Sequence, residues 1–447
     1  MSDLHLACPA DGAFDLTRIA ATIIQDDTPV TGPEIEARAS EAAAALSGSG
    51  HRRMALCSAN AADVAVALAA AAAARFELAL LSPAYADDGA ALRRWGVAAV
   101  LGTNLDLRPV PGDHPREASG FAILIATSGT TGTPKLARHT PDALLGRIGP
   151  APAGRPPARW LLTYPPTSFA GLQVVLTALA SGGTLIAATE PTVATLAEAA
   201  LTHRATMASG TPTFWRAFLI ALGTRTERLD LRHITLGGEA VDQATLDRLG
   251  AAFPGAAIRH IYASTEAGAL FAVSDGRAGF PARWLDAPVD GVHLRIRDQA
   301  LEVKSPRRMQ GYVEEPGDAP LAEDGWLATG DRVERMGDRV VFLGRADSVI
   351  NVGGLKVSPD EVEARLLEVP GVTDAQVYGV KNPITGQLVA ADIVLRAPHE
   401  KERVRAALEH HARAALDPHK VPRIIRFVDR IAPTDAGKKA RRPWPKA

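Results

Sequence analysis

Cysteine is almost absent from this 447-residue chain, since Cys8 and Cys57 are its only two. Two thiols cannot build a disulfide framework or a four-ligand zinc site, so we expect a reducing, cytoplasmic setting. Net charge is also nearly absent, at −1. A balanced charge excludes the strongly basic surface that binds nucleic acid, and no acidic tail predicts a disordered partner segment.

Long hydrophobic runs are missing as well. The most apolar stretch extends from Val64 to Ala74, between Asp63 and Arg75. It is shorter than the roughly 20 residues that cross a bilayer, and its alanine content predicts a buried helix. The opening segment, MSDLHLACPADGAFDL, lacks a basic stretch followed by an apolar core. We therefore expect neither a membrane span nor a signal peptide.

What the chain does contain is an alternation of short apolar runs with helical patterns. Helical patterns occupy 61–75 and 88–95. The apolar runs, which predict strands, lie at 54–57, 78–81, 121–126, 160–163, 184–187, 234–236 and 258–262. Alternating strands and helices predict an α/β fold. Single cores stop growing at roughly 250–300 residues, so the length predicts two or more domains.

The last hundred residues form a separate pattern. Ser358, Pro359 and Glu361 predict a helix start, with serine as N-cap, proline in the first turn and glutamate closing a capping box. Beyond it the sequence predicts two strands, at 372–380 and 388–395, joined by a hairpin turn at 382–386. A charged helix at 400–415 and a final strand at 423–428 follow. We expect a small α+β module, with domains at 1–345 and 346–447.

A loop rich in glycine and hydroxyl groups follows the apolar run at 121–126. It reads Thr127-Ser128-Gly129-Thr130-Thr131-Gly132-Thr133-Pro134-Lys135. Glycines let backbone N–H groups approach an anion, hydroxyls donate further hydrogen bonds, and the lysine adds positive charge. The Walker pattern places Gly-Lys-Ser/Thr after a four-residue gap, whereas here proline precedes the lysine. The segment predicts a phosphate loop of another type, with a flexible turn as the alternative.

Further short segments follow this loop in a characteristic order. They are Leu236-Gly237-Gly238-Glu239, Tyr262-Ala263-Ser264-Thr265-Glu266, Thr329-Gly330-Asp331, Gly344-Arg345-Ala346-Asp347, Gly353-Gly354-Leu355-Lys356 and Thr434-Asp435-Ala436-Gly437-Lys438. In that order they resemble the adenylate-forming superfamily of acyl- and aryl-CoA synthetases, peptide-synthetase adenylation domains and firefly-type luciferases. The resemblance covers almost the whole chain. It implies a large N-terminal domain of several subdomains with mixed sheets and helices, and a small mobile α+β C-terminal domain.

The resemblance implies an AMP-forming acid–thiol ligase that uses ATP and Mg²⁺. A carboxylate attacks the ATP α-phosphorus and expels pyrophosphate, so two anions meet and the site needs cations and positioning. The implied phosphate contacts are Thr127, Ser128, Gly129, Thr130, Thr131, Gly132 and Lys135. The implied adenine and ribose contacts are Gly237, Gly238, Glu239, Tyr262, Ala263, Asp331 and Arg345.

The catalytic residues implied by the resemblance are Thr265, Glu266 and Lys438. Thr265 donates to the α-phosphate, Glu266 holds Mg²⁺, a hard cation with oxygen ligands, and Lys438 bridges the acid carboxylate and the α-phosphate. A hinge at Asp347 then turns a thiol-side loop toward the site, the loop being formed by Gly353, Gly354 and Lys356.

Each of these assignments has a structural alternative. Glu266 and Asp331 are also compatible with solvated turns, and Arg345 with Asp347 forms a plausible surface ion pair. Lys438 lies in a basic tail, where Lys439 is the competing choice. Three positions depart from the superfamily pattern. Ala263 and Leu136 stand where glycine is usual, and Pro433 lies one residue closer to Thr434 than in the common pattern.

The acid is expected to be an aryl or acyl carboxylic acid. No acidic residue lies between Tyr164 and Glu190, and a buried ammonium without a counter-ion is costly, which disfavours an amino acid. Ser168 stands where many acyl-CoA synthetases carry histidine. The candidate pocket residues are Ser168, Phe169, Phe214, Gly237 and Ala263, of which the two phenylalanines are equally compatible with the core.

The thiol acceptor is expected to be CoA. The segment His419-Lys420-Val421-Pro422 resembles the corresponding stretch of CoA ligases. A phosphopantetheine on a carrier protein is the alternative acceptor. Competing functions are a non-catalytic nucleotide-binding relative, a phosphoryl-transferring NTPase and a luciferase-like oxygenase.

Overall fold

The computed structural model describes residues 15–48, 52–102, 106–112, 120–127, 134–148, 156–314, 324–396 and 401–431. The opening segment, most of the predicted phosphate loop (128–133) and the tail that carries Lys438 and Lys439 lie outside these residues.

Helices and strands alternate along the described chain. The helices are α1 (Gly32–Gly48), α2 (Ala61–Ala74), α3 (Gly89–Arg94), α4 (Pro141–Leu145), α5 (Phe169–Ala180), α6 (Val193–Thr202), α7 (Pro212–Leu222), α8 (Gln243–Ala252), α9 (Pro359–Leu367) and α10 (Lys401–Ala415). The strands are β1 (Thr22–Gln25), β2 (Thr28–Val30), β3 (Arg53–Cys57), β4 (Glu77–Leu81), β5 (Ala99–Leu101), β6 (Leu107–Pro109), β7 (Ala122–Thr127), β8 (Lys135–His139), β9 (Arg159–Leu162), β10 (Thr184–Ala187), β11 (Met207–Gly210), β12 (His233–Gly237), β13 (Ala257–Ser264), β14 (Gly268–Val273), β15 (Phe280–Pro281), β16 (His293–Arg297), β17 (Ala300–Lys304), β18 (Gly311–Tyr312), β19 (Leu327–Met336), β20 (Arg339–Arg345), β21 (Ile350–Val352), β22 (Leu355–Val357), β23 (Val372–Asn382), β24 (Gly386–Leu395) and β25 (Ile424–Phe427).

These strands form four sheets in the described part of the chain. An eight-stranded sheet has the order β14-β13-β12-β11-β9-β10-β1-β2, and a seven-stranded sheet has the order β18-β8-β7-β4-β3-β5-β6. Both are parallel in the middle and antiparallel at their edges. Two smaller sheets follow, one ordered β15-β20-β19-β17-β16 and one ordered β22-β21-β24-β23 with β25 beside β24. The predicted α/β fold with mixed sheets is confirmed.

The alanine-rich stretch is a buried helix, as predicted. In α2 every residue from Ala61 to Ala71 is buried. The Asn60 side chain caps its start by accepting hydrogen bonds from the N–H groups of Ala62 and Asp63, at 2.8 and 3.2 Å. The helix packs with residues of both large sheets in one core cluster, where small side chains allow close approach. Among the described helices, none combines the length and apolarity that a bilayer crossing requires.

All predicted strands and helices are present, with ends shifted by one or two residues. The predicted helix start is present, but its capping box is wrong, because Oε1 of Glu361 accepts from Nζ of Lys420 at 2.8 Å. Ser358 occupies the N-cap of α9 and Pro359 its first turn, but the serine makes no side-chain cap bond. Its hydroxyl donates instead to the carbonyl of Leu343 on β20. A hydrogen bond that the serine donates to a distant carbonyl has therefore replaced the one it would accept from an N–H of its own helix.

The C-terminal part has its own hydrophobic core. Its buried members lie between Ile350 and Val421, and the cluster contains no residue from the two large sheets. A large N-terminal and a smaller C-terminal domain are therefore confirmed. The boundary between 345 and 346 stays a prediction. It coincides with the end of β20 at Arg345.

Glu77 anchors β8, the strand that begins with Lys135 of the predicted phosphate loop. The Glu77 carboxylate on β4 accepts from Nε of Arg53 on β3 and from Nε of Arg138 on β8, both at 2.7 Å. Glu77 is only 2% exposed. Because β8 starts at Lys135, this buried ion triad holds the far end of that strand in place.

Glu77→Ala should therefore destabilise the protein strongly. It leaves two guanidinium groups without their shared counter-ion, so we expect the free energy of unfolding to fall by about 3 kcal/mol. Urea unfolding followed by tryptophan fluorescence measures this loss. The matched control is Asp338→Ala, which breaks the mainly exposed Arg277–Asp338 pair and should cost much less stability, because solvent screens that pair. Equal small losses in both variants would contradict the anchoring role.

Candidate functional site

Two neighbouring parallel strands bring two of the predicted segments to one edge of the eight-stranded sheet. The register of β12 and β13 sets Gly237 opposite Ile261. The turn Gly237–Glu239 and the segment Tyr262–Glu266, which begins in the last residues of β13, therefore lie side by side. Ligands of α/β sheets bind beyond the carboxyl ends of parallel strands, which makes this edge the candidate site.

The Gly237–Glu239 turn is held by hydrogen bonds on both sides. The Tyr164 hydroxyl donates to the Gly237 carbonyl at 3.2 Å. Oε2 of Glu239 accepts from the backbone N–H of Thr213 at 3.1 Å and from its hydroxyl at 2.8 Å. Thr213 lies in the first turn of α7, where a carboxylate is favoured by the helix dipole. Gly238 has a φ of 82°, a conformation that suits glycine.

Tyr262, Asp331 and Arg345 come together although they are distant in sequence. The Tyr262 hydroxyl donates to the Asp331 carboxylate. Asp331 on β19 stands opposite Arg345 on β20, and an Arg345 Nη1 to Asp331 Oδ1 distance of 3.7 Å makes them an ion pair. The backbone N–H of Asp331 donates to the Thr329 hydroxyl at 3.1 Å. This convergence brings three of the predicted ribose and adenine residues into one cluster.

The Tyr262 ring packs against two phenylalanines. Its centroid lies 5.3 Å from that of Phe271 and 4.9 Å from that of Phe342. Burial raises the pKa of the Tyr262 phenol well above its ordinary value, and the negative charge of Asp331 raises it further. The phenol is therefore a neutral donor to Asp331 at physiological pH.

Tyr312 is a site residue that the sequence did not reveal. Its hydroxyl donates to Oε1 of Glu266 at 3.2 Å, and Nζ of Lys135 lies 5.0 Å from its ring centroid. The candidate metal ligand Glu266 and Lys135 of the predicted phosphate loop thus flank one phenol, the lysine in a cation–π contact. Tyr312 belongs to the two-residue strand β18, which pairs with β8 and is too short to produce a periodic signal.

The candidate acid-pocket residues Ser168, Phe169, Phe214 and Ala263 cap a helix or pack in the hydrophobic core. Ser168 caps α5, accepting from the N–H of Gly171 at 3.1 Å and donating to the Pro165 carbonyl at 2.8 Å. Phe169 belongs to the core beside it, and the Phe214 ring stacks on Phe218 with centroids 5.1 Å apart. Ala263 packs against the same core as Phe169. Their pocket roles stay predictions.

The predicted thiol-side loop is the turn between β21 and β22. Gly353 and Gly354 have φ values of 60° and 86°, and the Asn351 side chain accepts from the N–H of Gly354 at 3.0 Å. Lys356 is exposed. The predicted hinge Asp347 lies in a 3-10 turn, Ala346–Ser348, between β20 and β21. Lys438, which is predicted to be catalytic, lies outside the described residues.

His139 is a second residue that sequence reasoning missed. It is fully buried at the end of β8, and its ring centroid lies 5.8 Å from that of Phe169. Among the described residues, neither ring nitrogen makes a hydrogen bond of regular geometry. Burial lowers the pKa of this imidazole to about 4, while the backbone of Thr265 acts in the opposite direction. A lone histidine in an apolar strand carries no sequence signal.

Known families and proteins resemble the chain over most of its length. Residues 91–313 match the AMP-binding enzyme family, and residues 361–438 match the AMP-binding enzyme C-terminal domain. A probable 2-succinylbenzoate–CoA ligase of Mycobacterium tuberculosis is 30% identical over 332 residues, which cover 71% of this chain and 82% of that protein.

A mitochondrial acyl-coenzyme A synthetase of Rattus norvegicus, ACSM4, is 28% identical over 70% of this chain. The match spans only 58% of that relative's length. Among solved structures, the anthranilate CoA ligase AuaEII in complex with anthranoyl-AMP superposes with a TM-score of 0.77 at 20% identity, covering 96% of this chain and 95% of that one. At that identity the likeness shows the fold.

The burial of His139 predicts a pH-dependent stability. The unfolded imidazole takes up a proton near pH 6.5 and the folded one only near pH 4, so acid favours unfolding. From about pH 7.5 to about pH 5 this group should lower the free energy of unfolding by about 2 kcal/mol. His139→Leu should lose less stability than the wild type over that range, measured by urea unfolding at both pH values. Other groups titrate in both proteins, so the test is the difference between wild type and variant in how the free energy of unfolding changes with pH. An identical change in both proteins would refute the role of His139.

Proposed function

The chain belongs to the AMP-binding enzyme family, and from this premise we propose that it uses ATP to convert a carboxylic acid into an acyl-adenylate and then transfers the acyl group to a thiol. In the first step a carboxylate oxygen bonds to the α-phosphorus, the bond from that phosphorus to the bridging oxygen breaks, and pyrophosphate leaves. In the second step the thiol sulfur bonds to the acyl carbon, AMP leaves, and the thiol proton passes to solvent.

The observation that carries the proposal is the convergence of Tyr262, Asp331 and Arg345 beside the Gly237–Glu239 turn. In this proposal Asp331 accepts from the ribose hydroxyls and Arg345 donates to them. Tyr262, Ala263 and the turn line the adenine. The Tyr262 bond supports the assignment of Asp331, because a carboxylate held by a neutral donor is pre-oriented for a second partner.

Mg²⁺ fits the donor set at Glu266. Among the described residues, no group of three or more His, Cys, Asp or Glu side chains could hold a metal ion. Mg²⁺ is commonly held by one or two carboxylates together with substrate phosphates, so a single carboxylate here is compatible with it. When bound, the ion neutralises phosphate charge. Tyr312 orients the Glu266 carboxylate that would hold it.

The remaining cationic groups act on the converging anions. Lys135 and the loop Thr127–Gly132 bind the outer phosphates in this proposal, and Thr265 donates to the α-phosphate. Lys438 contacts the acid carboxylate and the α-phosphate together, so that its charge matters most as the two anions approach. The contact of Lys135 with the Tyr312 ring supports the first assignment, because it holds the ammonium close to Glu266.

The acid is proposed to be an aryl or acyl acid, and the acceptor CoA. The stretch between Tyr164 and Glu190 offers no counter-ion for an ammonium group. The names of the relatives, a 2-succinylbenzoate–CoA ligase and an acyl-coenzyme A synthetase, support both parts. A carrier-protein phosphopantetheine is the alternative acceptor. A cytoplasmic location stays a prediction that rests on the scarcity of cysteine.

The two half-reactions need different groups around one intermediate. We propose that the C-terminal domain turns about Asp347, so that Lys438 leaves the site and the loop with Gly353, Gly354 and Lys356 enters it. The position of Asp347 in a short turn between two domain cores supports this role, because such a segment can absorb a large change in φ and ψ.

The reaction products test the proposal directly. With ATP, Mg²⁺ and a panel of aryl, acyl and α-amino acids, we expect AMP and pyrophosphate to appear with an aryl or acyl acid, and nucleotide chromatography to resolve them. Reactions without acid are the control. Formation of ADP and phosphate across the panel would contradict adenylation. Activity highest with an α-amino acid would contradict the proposed acid class.

Lys438→Ala should separate catalysis from ATP binding. Loss of a group that stabilises transition-state charge is expected to slow acyl-AMP formation about a hundredfold or more, while ATP affinity changes little. Pyrophosphate exchange and ATP titration measure the two quantities. Lys439→Ala is the matched control and should retain activity. Normal acyl-AMP formation in Lys438→Ala together with its loss in Lys439→Ala would assign the catalytic role to Lys439.

A further inference from the structure

Arg216 is a buried cation that joins the two domains. It lies on α7 of the N-terminal domain, and its side chain is 3% exposed. Its Nε donates to Asp374 on β23 of the C-terminal domain at 2.9 Å, and its Nη1 donates to Asp242, the N-cap of α8, at 3.2 Å. One guanidinium therefore binds a carboxylate from each domain.

The same guanidinium connects to the candidate adenine-side turn. Arg216 Nη2 donates to the Thr213 hydroxyl at 3.1 Å, and that hydroxyl donates to Glu239 at 2.8 Å. A continuous hydrogen-bonded chain thus runs from Asp374 through Arg216 and Thr213 to Glu239. Buried polar networks of this kind respond as a unit, because each member is costly to leave without its partner.

A second arginine of the N-terminal domain holds the same corner of the C-terminal domain. Arg248 on α8 donates through Nη2 to the carbonyls of Leu367 and Val372, at 2.8 and 2.9 Å. These carbonyls lie at the end of α9 and the start of β23, close in sequence to Asp374. The corner Leu367–Asp374 is therefore fastened at two independent points.

In this docked arrangement the thiol-side loop is open to solvent. Leu355 next to its turn is 53% exposed. A Cβ on Gly353 would meet only Thr385 of the same domain, and one on Gly354 would meet no described atom within 4 Å. The arrangement is thus not one in which this loop covers the site, which leaves it suited to the first half-reaction.

We propose that Arg216 and Arg248 are positioning residues that dock the C-terminal domain for acyl-AMP formation, and that Arg216 couples this docking to the nucleotide through Thr213 and Glu239. The assignment to a half-reaction rests on the proposed function. Undocking must break a buried charged pair, so the contact biases the domain toward the first step and is lost for the second.

Asp374→Asn tests the docking with the least change in shape. We expect acyl-AMP formation, measured by pyrophosphate exchange, to fall about tenfold, the loss that corresponds to one weakened charged hydrogen bond. Transfer from preformed acyl-AMP to CoA should be unchanged or faster. Arg248→Gln should act in the same direction and gives a second, independent variant. Asp338→Asn makes the same chemical change in the exposed Arg277–Asp338 pair inside the N-terminal domain and should alter neither half-reaction.

Hydrogen exchange tests the docking without any assay of turnover. In the free protein, amides of α9 and β23 should exchange faster in Asp374→Asn than in the wild type, and normally in Asp338→Asn. ATP alone should protect these amides in the wild type and less so in Glu239→Gln. Thermal unfolding checks that each variant is folded.

The possible outcomes separate this inference from the proposed function. If no acid yields AMP but exchange responds as expected, the function is wrong and the docking stands. If AMP forms and Asp374→Asn slows both half-reactions equally, or leaves exchange unchanged, the positioning role is overturned. Protection by ATP that is equal in wild type and Glu239→Gln would remove the coupling.

Discussion

The parallel pairing of β12 with β13 is the interaction on which the candidate site depends. Its register sets Gly237 opposite Ile261, so that the Gly237–Glu239 turn lies beside the segment Tyr262–Glu266 at the end of β13. Tyr262 then reaches Asp331 on a separate sheet, which connects the eight-stranded sheet to the β19–β20 pair. A slip of one residue between β12 and β13 would turn these side chains to the opposite face.

Each acidic residue at the site already has a partner that fixes its direction. Thr213 holds Glu239, Tyr262 holds Asp331, and Tyr312 holds Glu266. Chemistry that brings two anions together depends on groups that need little reorganisation at the moment of reaction. The site therefore has the pre-organisation that the proposed adenylation requires, and its hydroxyl donors are as important to that order as the charged residues they orient.

The arginine contacts link this site to the second domain. Arg216 and Arg248 place the corner Leu367–Asp374 against α7 and α8. The first turn of α7 contacts the Gly237–Glu239 turn, and α8 follows that turn in the sequence. The Gly237–Glu239 turn and the domain interface thus share Thr213 as an intermediate. Such an arrangement allows the position of one domain to depend on events at the other without any large rearrangement in between.

The sequence by itself determined the α/β alternation, the buried alanine helix, the C-terminal module and the segments that resemble the superfamily. These properties are local, because strand and helix patterns and loop chemistry depend on residues close together in the chain. Only the tertiary structure decided the partners of those segments. No sequence pattern indicated the contacts of Tyr312, His139, Thr213 and Arg216. The hydroxyl of Ser358 likewise donates to a distant carbonyl instead of capping its own helix. The physical reason is that such contacts are set by sheet register and domain packing, which join residues far apart in sequence and leave no pattern within either segment.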